Sequence, residues 1–165
     1  MIQRARIGAA GAGRRISRLA LAAGLLAAVA APAEAQRLNL TILPRTISFP
    51  SSDPDVVPVV SSGPLQILYR VRQNGGRPWT LTVLANGDLI SGGATVDISN
   101  VSWVATPAPP FQNGTLSKTV AQQVASGNGN VNPARLGQVT FRLVNAWTYS
   151  AGVYTQTIVF TLSAP

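Results

Sequence analysis

Residues 65–85 read LQILYRVRQNGGRPWTLTVLA, two runs of strict alternation on either side of a glycine turn. Leu65, Ile67, Tyr69 and Val71 alternate with Gln66, Leu68, Arg70 and Arg72, and side chains two apart on an extended chain share a face. One apolar row therefore meets a core and a mostly polar row meets solvent. Trp79, Leu81, Val83 and Ala85 repeat the pattern against Thr80, Thr82 and Leu84. Asn74-Gly75-Gly76 supplies residues able to take positive φ, so the two runs are expected to pair as a hairpin.

The same period extends in both directions. Upstream, Leu38, Leu40 and Ile42 suggest a first strand, followed by Thr46 to Phe49 and Val56 to Val60, each bounded by proline. Downstream, Val96, Ile98, Val101 and Trp103 mark an extended region with an irregularity at Ser99-Asn100, and Thr119 to Val124 is a weaker candidate. Pro107, Pro109 and Pro110 lack the amide donors that a central strand needs, which makes that segment a loop or an edge. Val139, Phe141 and Leu143 resume the alternation.

The chain closes with VYTQTIVFTLSAP, residues 153–165. Tyr154, Ile158, Phe160 and Leu162, with Gln156 among them, fall on one face, and Val153, Thr155, Thr157, Val159 and Thr161 on the other. The connection 146–152 is too short for a helical crossover, so this strand is expected beside the one carrying Phe141. No helical period is sustained after residue 35. The fold expected is all-β: a single antiparallel, Ig-like β-sandwich of about seven to nine strands spanning residues 36–165.

The first 35 residues follow a different rule. Met1 to Arg18 holds five arginines and no acid, Leu19 to Ala33 is an uncharged Ala/Leu run, and Ala33-Glu34-Ala35 precedes Gln36 as a small-x-small cleavage site. That order is a secretory signal peptide, expected to be removed. The apolar run is shorter than the roughly 20 residues a spanning helix needs, so no transmembrane anchor is expected in the mature chain. Ser17 and Arg18 stand where a twin-arginine export signal resembles an apolar pair, which favours the general secretory route over the one Arg14-Arg15 invites.

Removing the leader changes the charge. It holds five of thirteen basic residues and one of five acids, so the remainder carries eight cations against four aspartates, net +4 instead of +8. Arg70, Arg72 and Arg77 are the one local basic cluster and are candidates for a basic binding face. No aromatic ladder interleaves them for base stacking, so no nucleic-acid partner is expected.

Function is narrowed most by absent chemistry. With no histidine and no cysteine, the chain lacks the commonest general base, thiol nucleophiles, the serine–histidine relay, disulfide staples and almost every zinc or copper donor set. Asp53 and Asp55 are too close in sequence to face each other across a cleft as glycosidase acids, and their loop offers too few further acids to hold calcium. Lys118 is the single lysine, and nothing marks the neighbouring Ser117 as a nucleophile. No catalytic residue, metal or cofactor is expected. Sequons begin at Asn39, Asn100 and Asn113 and carry glycans only in a host with the machinery.

Trp79 and Trp103 alternate as core residues do, whereas Trp147 and Tyr149 lie in the loop before the terminal strand, where an aromatic ring stacks on a sugar, fills a partner's pocket, or folds back over the core.

At Trp79-Thr80-Leu81, and again from Tyr154 through Phe160-Thr161-Leu162 to Pro165, the chain resembles the WxL domain of bacterial surface proteins, with phenylalanine in place of the second tryptophan. The resemblance implies non-covalent association with cell-wall or envelope polysaccharide. Trp79, Leu81, Phe160 and Leu162 become binding candidates on that ground, beside Trp147 and Tyr149. The chain also resembles fimbrial and spore-coat-type subunits, which end in a tyrosine-bearing alternating strand like Ala151-Gly152-Val153-Tyr154. In those families strands pass between subunits, and Leu38 to Ile42 would be the donor. The combined expectation is a secreted, non-enzymatic module of the bacterial envelope that binds wall polysaccharide or, alternatively, assembles with other surface proteins or with itself.

Overall fold

The computed structural model describes residues 36–165, and the secretory leader expected at residues 1–35 lies outside them. Among the described residues there is no α-helix, only a 3-10 turn at Ile98–Asn100 and eleven strands. These are β1 (Arg37–Leu43), β2 (Val59–Ser61), β3 (Leu65–Arg72), β4 (Pro78–Ala85), β5 (Leu89–Ser91), β6 (Ala94–Val96), β7 (Val101–Thr106), β8 (Gly114–Thr115), β9 (Gln122–Asn128), β10 (Val131–Val144) and β11 (Ile158–Ser163). One sheet runs β1-β3-β10-β7-β8 with β2 on the far end of β10, the second runs β11-β4-β9, and β5-β6 form a small hairpin. All strand pairs are antiparallel, and the two sheets pack as the expected β-sandwich. β2 keeps only the end of the strand expected at Val56 to Val60, and the strands not expected are β5, β6 and β8, each two or three residues long.

Alternation builds the core directly. Ile67, Tyr69 and Val71 of β3 and Leu81 and Val83 of β4 are buried, as are Trp103 of β7, Val124 of β9 and Phe141 of β10. The Tyr69 ring lies 5.1 Å from Trp79 in a tilted pair and 5.7 Å from Phe111 edge-on, which joins β3, β4 and the segment after β7 across the core. Each large side chain buried here contributes about 1.5–3 kcal/mol by transfer from water, and in a chain without cysteine this burial and the sheet hydrogen bonds hold the fold.

Two expected pairings are overturned. β3 and β4 do not form a hairpin: β3 lies between β1 and β10, β4 between β11 and β9, and the glycine turn carries the chain from one sheet to the other. Both apolar rows then face each other across the core instead of lying side by side. Gln73 fixes this corner. Buried to 8 % exposure, its backbone N–H donates to Asn130 Oδ1 (2.7 Å), and its side-chain Nε2 donates to the carbonyls of Arg77 (2.5 Å) and Gly129 (3.2 Å).

The terminal strand does not pair with the strand of Phe141 either. β11 pairs with β4, setting Phe160 opposite Val83. The connection 145–157 crosses between the sheets and is guided by Thr155 bridging to Ile90, by Asn86 N–H donating to the Thr157 carbonyl (2.9 Å), and by Gln156 Nε2 donating to the Asp88 carbonyl (2.6 Å). The strand accordingly starts at Ile158 instead of Val153. Thr46 to Phe49 forms no strand, and Ile47 and Phe49 pack on the core from a loop.

Candidate functional site

The sandwich has two unlike flanks. On one, the segment 110–116 spans both sheets. Ser126 N–H donates to the Pro110 carbonyl (3.3 Å) and Gln112 N–H to that of Val124 (2.9 Å), while Leu116 N–H donates to the Val101 carbonyl (2.8 Å) and Gly114–Thr115 pairs with β7. These bonds cover the edges of β7 and β9.

On the other flank β1 and β11 are the outermost strands of their sheets and touch each other, and among the described residues neither has a further strand beside it. Gln36 Nε2 donates to the Ala164 carbonyl at one end of this contact. The inward residues here, Leu40, Ile42, Ile158, Phe160 and Leu162, are only half-buried, and Leu38 is 38 % exposed, against 0 % for Ile67 and Leu81 one strand further in. This flank therefore joins two unpaired backbone edges to an incompletely covered apolar row.

The aromatic candidates from the sequence do not converge. Trp79 (3 % exposed) and Leu81 (0 %) are core residues, so neither side chain reaches the surface in this fold. Phe160 and Leu162 line the open flank. Tyr149 folds back against the core, and burial raises its phenol pKa, with Tyr154 nearby adding to the rise. Trp147 is 68 % exposed and is held in place by Nε1 donating to Asp55 Oδ1 (3.0 Å). Asn145 pins the strand end beneath it, donating from Nδ2 to the carbonyls of Ser52 (2.9 Å) and Val57 (3.0 Å).

The basic candidates do converge, with additions the sequence hides. Pairing sets Arg37 opposite Arg72, and Arg70 two pairs further along, on the same face, opposite Asn39. Arg135 lies opposite Tyr69 and Arg77 at the β3–β4 corner, so all five guanidinium groups occupy one end of the sandwich. An open depression of about 490 Å³ there is lined by Gln36, Arg37, Leu38, Asn39, Arg70 and Arg72. Arg70 Nη2 donates to Asn132 Oδ1 (2.6 Å), while its buried Nε has no partner. Arg37 and Arg135 were legible only once register was known, because they come from β1 and β10.

Lys118 and Ser117 serve structure. Lys118 Nζ pairs with Asp88 (2.7 Å) and Asp97 (3.6 Å), and Ser117 Oγ accepts from the backbone N–H groups of Thr119 (3.2 Å) and Val120 (3.1 Å). The hydrogen bond from Lys118, with another from the Ile98 N–H, lowers the Asp88 pKa; hydrogen bonds from Ser99 lower that of Asp97; the Asp88 carboxylate raises that of Lys118. These are the ion pairs among the described residues, which leaves Asp53, Asp55 and the five clustered arginines without a charged partner.

Compared with known proteins, the chain matches no family model and no curated protein sequence.

Proposed function

We propose that this chain is a non-enzymatic structural subunit of the bacterial envelope, exported and then assembled by exchange of β1 between copies. The open β1/β11 flank carries this reading. An unpaired edge accepts another strand through backbone hydrogen bonds, with alternate side chains filling the pockets beneath it. β1 is the first described strand, it pairs with β3 alone, and its inward residues are the least covered of the apolar rows, so little burial is lost while it changes places. The connection 44–58 contains no strand, so no sheet pairing has to break in it when β1 changes places.

The test is light scattering on the exported protein. Exchange predicts a ladder of oligomers, its loss when Leu38–Ile42 is deleted, and restoration of the shortened chain's native exchange protection by a peptide of residues 36–43. A wild-type protein that stays monomeric as concentration rises would count against it.

Association with wall polysaccharide, which the Trp-x-Leu resemblance implies, is favoured by one observation, the exposed ring of Trp147. It predicts that the protein sediments with isolated cell walls and that Trp147→Ala abolishes this.

A further inference from the structure

Charge is unevenly divided along the strand axis, with five of the seven described arginines at one end. β3 runs from Leu65 at one end of the sandwich to Arg72 at the other, and β10 runs back from Val131 to Val144. Arg37, Arg70, Arg72, Arg77 and Arg135 all lie at the Arg72 end. All four aspartates lie at the opposite end, together with Arg142, which stands opposite Ser61 and Ser102, and Arg45, which follows the end of β1. Asp53 and Asp55 are in the loop clamped by Asn145, Asp88 follows the last residues of β4, and Asp97 precedes β7, which starts opposite Leu143. Lys118 occupies Asp88 and Asp97, so the exposed, unpaired acids of that end are Asp53 and Asp55, with the indole of Trp147 fixed beside them.

We infer that copies of this chain stack head to tail, the Asp53–Asp55–Trp147 end of one seated in the Arg37–Arg70–Arg72 depression of the next. The contact deepens the assembly reading above by naming the partner and its polarity, and it rests on that reading. Complementarity singles out a second copy as the occupant: the depression is cationic with one buried guanidinium nitrogen unbonded, and the opposite end offers two carboxylates flanked by an aromatic ring on which a guanidinium stacks. Acceptor and donor lie at opposite ends of one molecule, so the contact is heterologous and leaves a free end on each side of every pair. It propagates as an open filament instead of closing as a two-fold dimer.

Charge reversal tests this in the exported full-length protein, followed by sedimentation velocity. The double variant Asp53→Arg/Asp55→Arg has two basic ends, and Arg70→Glu/Arg72→Glu weakens the basic end while keeping the acidic one. Each alone is expected to associate at least about tenfold more weakly than wild type at about 0.05 M salt. Mixed in equal amounts they should associate again, because each supplies the end that the other lacks; this recovery also shows that both are folded. Wild-type stacking should dissolve in about 1 M salt, where the screening length falls to about 3 Å.

Unchanged assembly of either variant, or a mixture that stays dissociated, overturns the contact. A salt-resistant ladder that disappears with Leu38–Ile42 yet ignores the charge variants keeps strand exchange and overturns head-to-tail stacking; salt-sensitive stacking that survives the deletion does the reverse. Retention of a monomeric wild-type protein on immobilised polygalacturonate, lost in Arg70→Glu/Arg72→Glu, would also overturn it and make the depression a site for an acidic polysaccharide.

Discussion

Three aromatic rings rest directly on glycine backbone: Trp103 over Gly114, Trp79 over Gly127 and Phe111 over Gly137. A Cβ at Gly137 would sit inside the Phe111 ring, so Gly137→Ala should lower the urea midpoint by a destabilisation of about 1–3 kcal/mol, whereas Gly93→Ala, with open space around it, should be neutral. Alternation was enough to assign Trp79 and Trp103 to the core, since inward direction is a property of the strand itself. Which glycine lies beneath each ring was not legible, because Gly127 and Gly137 belong to strands distant in sequence.

The Lys118 cluster gives a pH test at the same scale. Asp88 and Asp97 have pKa values below their ordinary 3.8, so their contribution is complete above that value and is lost as pH falls through the lowered folded values. Lys118 is raised above 10.5, so its contribution is complete below that value and is lost as pH rises through the folded one. Lys118→Met should therefore flatten both limbs of a plot of melting temperature against pH, leaving the neutral plateau as the region of greatest loss.

Among the elements, β10 organises the larger sheet by pairing with β2, β3 and β7, whereas β4 is the centre of the smaller one. Their strand character was readable from period two, but their partners were not. Pairing depends on where long connections lead, and the β3–β4 turn has the composition of a hairpin while acting as a corner. What turns it is the buried amide of Gln73, whose partners Arg77 and Gly129 come from the two connections, β3–β4 and β9–β10, that pass between the sheets at this corner. Gln73→Leu strands those carbonyls and should cost about 1–3 kcal/mol, measured by chemical denaturation. The terminal strands should differ in their removal. Deleting Ile158–Pro165 leaves β4 with one neighbour and uncovers Leu81 and Val83, and the domain should lose its cooperative melting transition; deleting Leu38–Ile42 removes one edge of a six-stranded sheet and should leave a broad but cooperative one.

For the whole molecule, sequence composition indicated a bridge-free sandwich, and the layered all-β architecture follows it. Two properties emerge only when register is known. One flank is covered by the segment 110–116 while the other leaves the outer edges of β1 and β11 unpaired, and five arginines from three strands and a corner collect at one end, opposite Asp53 and Asp55. Neither is written in any local stretch, since each needs strands from both halves of the chain. Both are the features on which the proposed contacts between copies rest.

The cysteine-free background allows the decisive measurement. Thr41 of β1 lies opposite Leu68 of β3 on the outward face, at the spacing of directly paired antiparallel residues, which a disulfide can bridge. Protein bearing only Thr41→Cys is mixed with protein bearing only Leu68→Cys under mild oxidation and resolved on a non-reducing gel. β1 exchange predicts a disulfide-linked heterodimer with this pair and none when Leu68→Cys is replaced by the remote Gly93→Cys. A double variant that closes the bond only within single chains, with no heterodimer in the mixture, would contradict it.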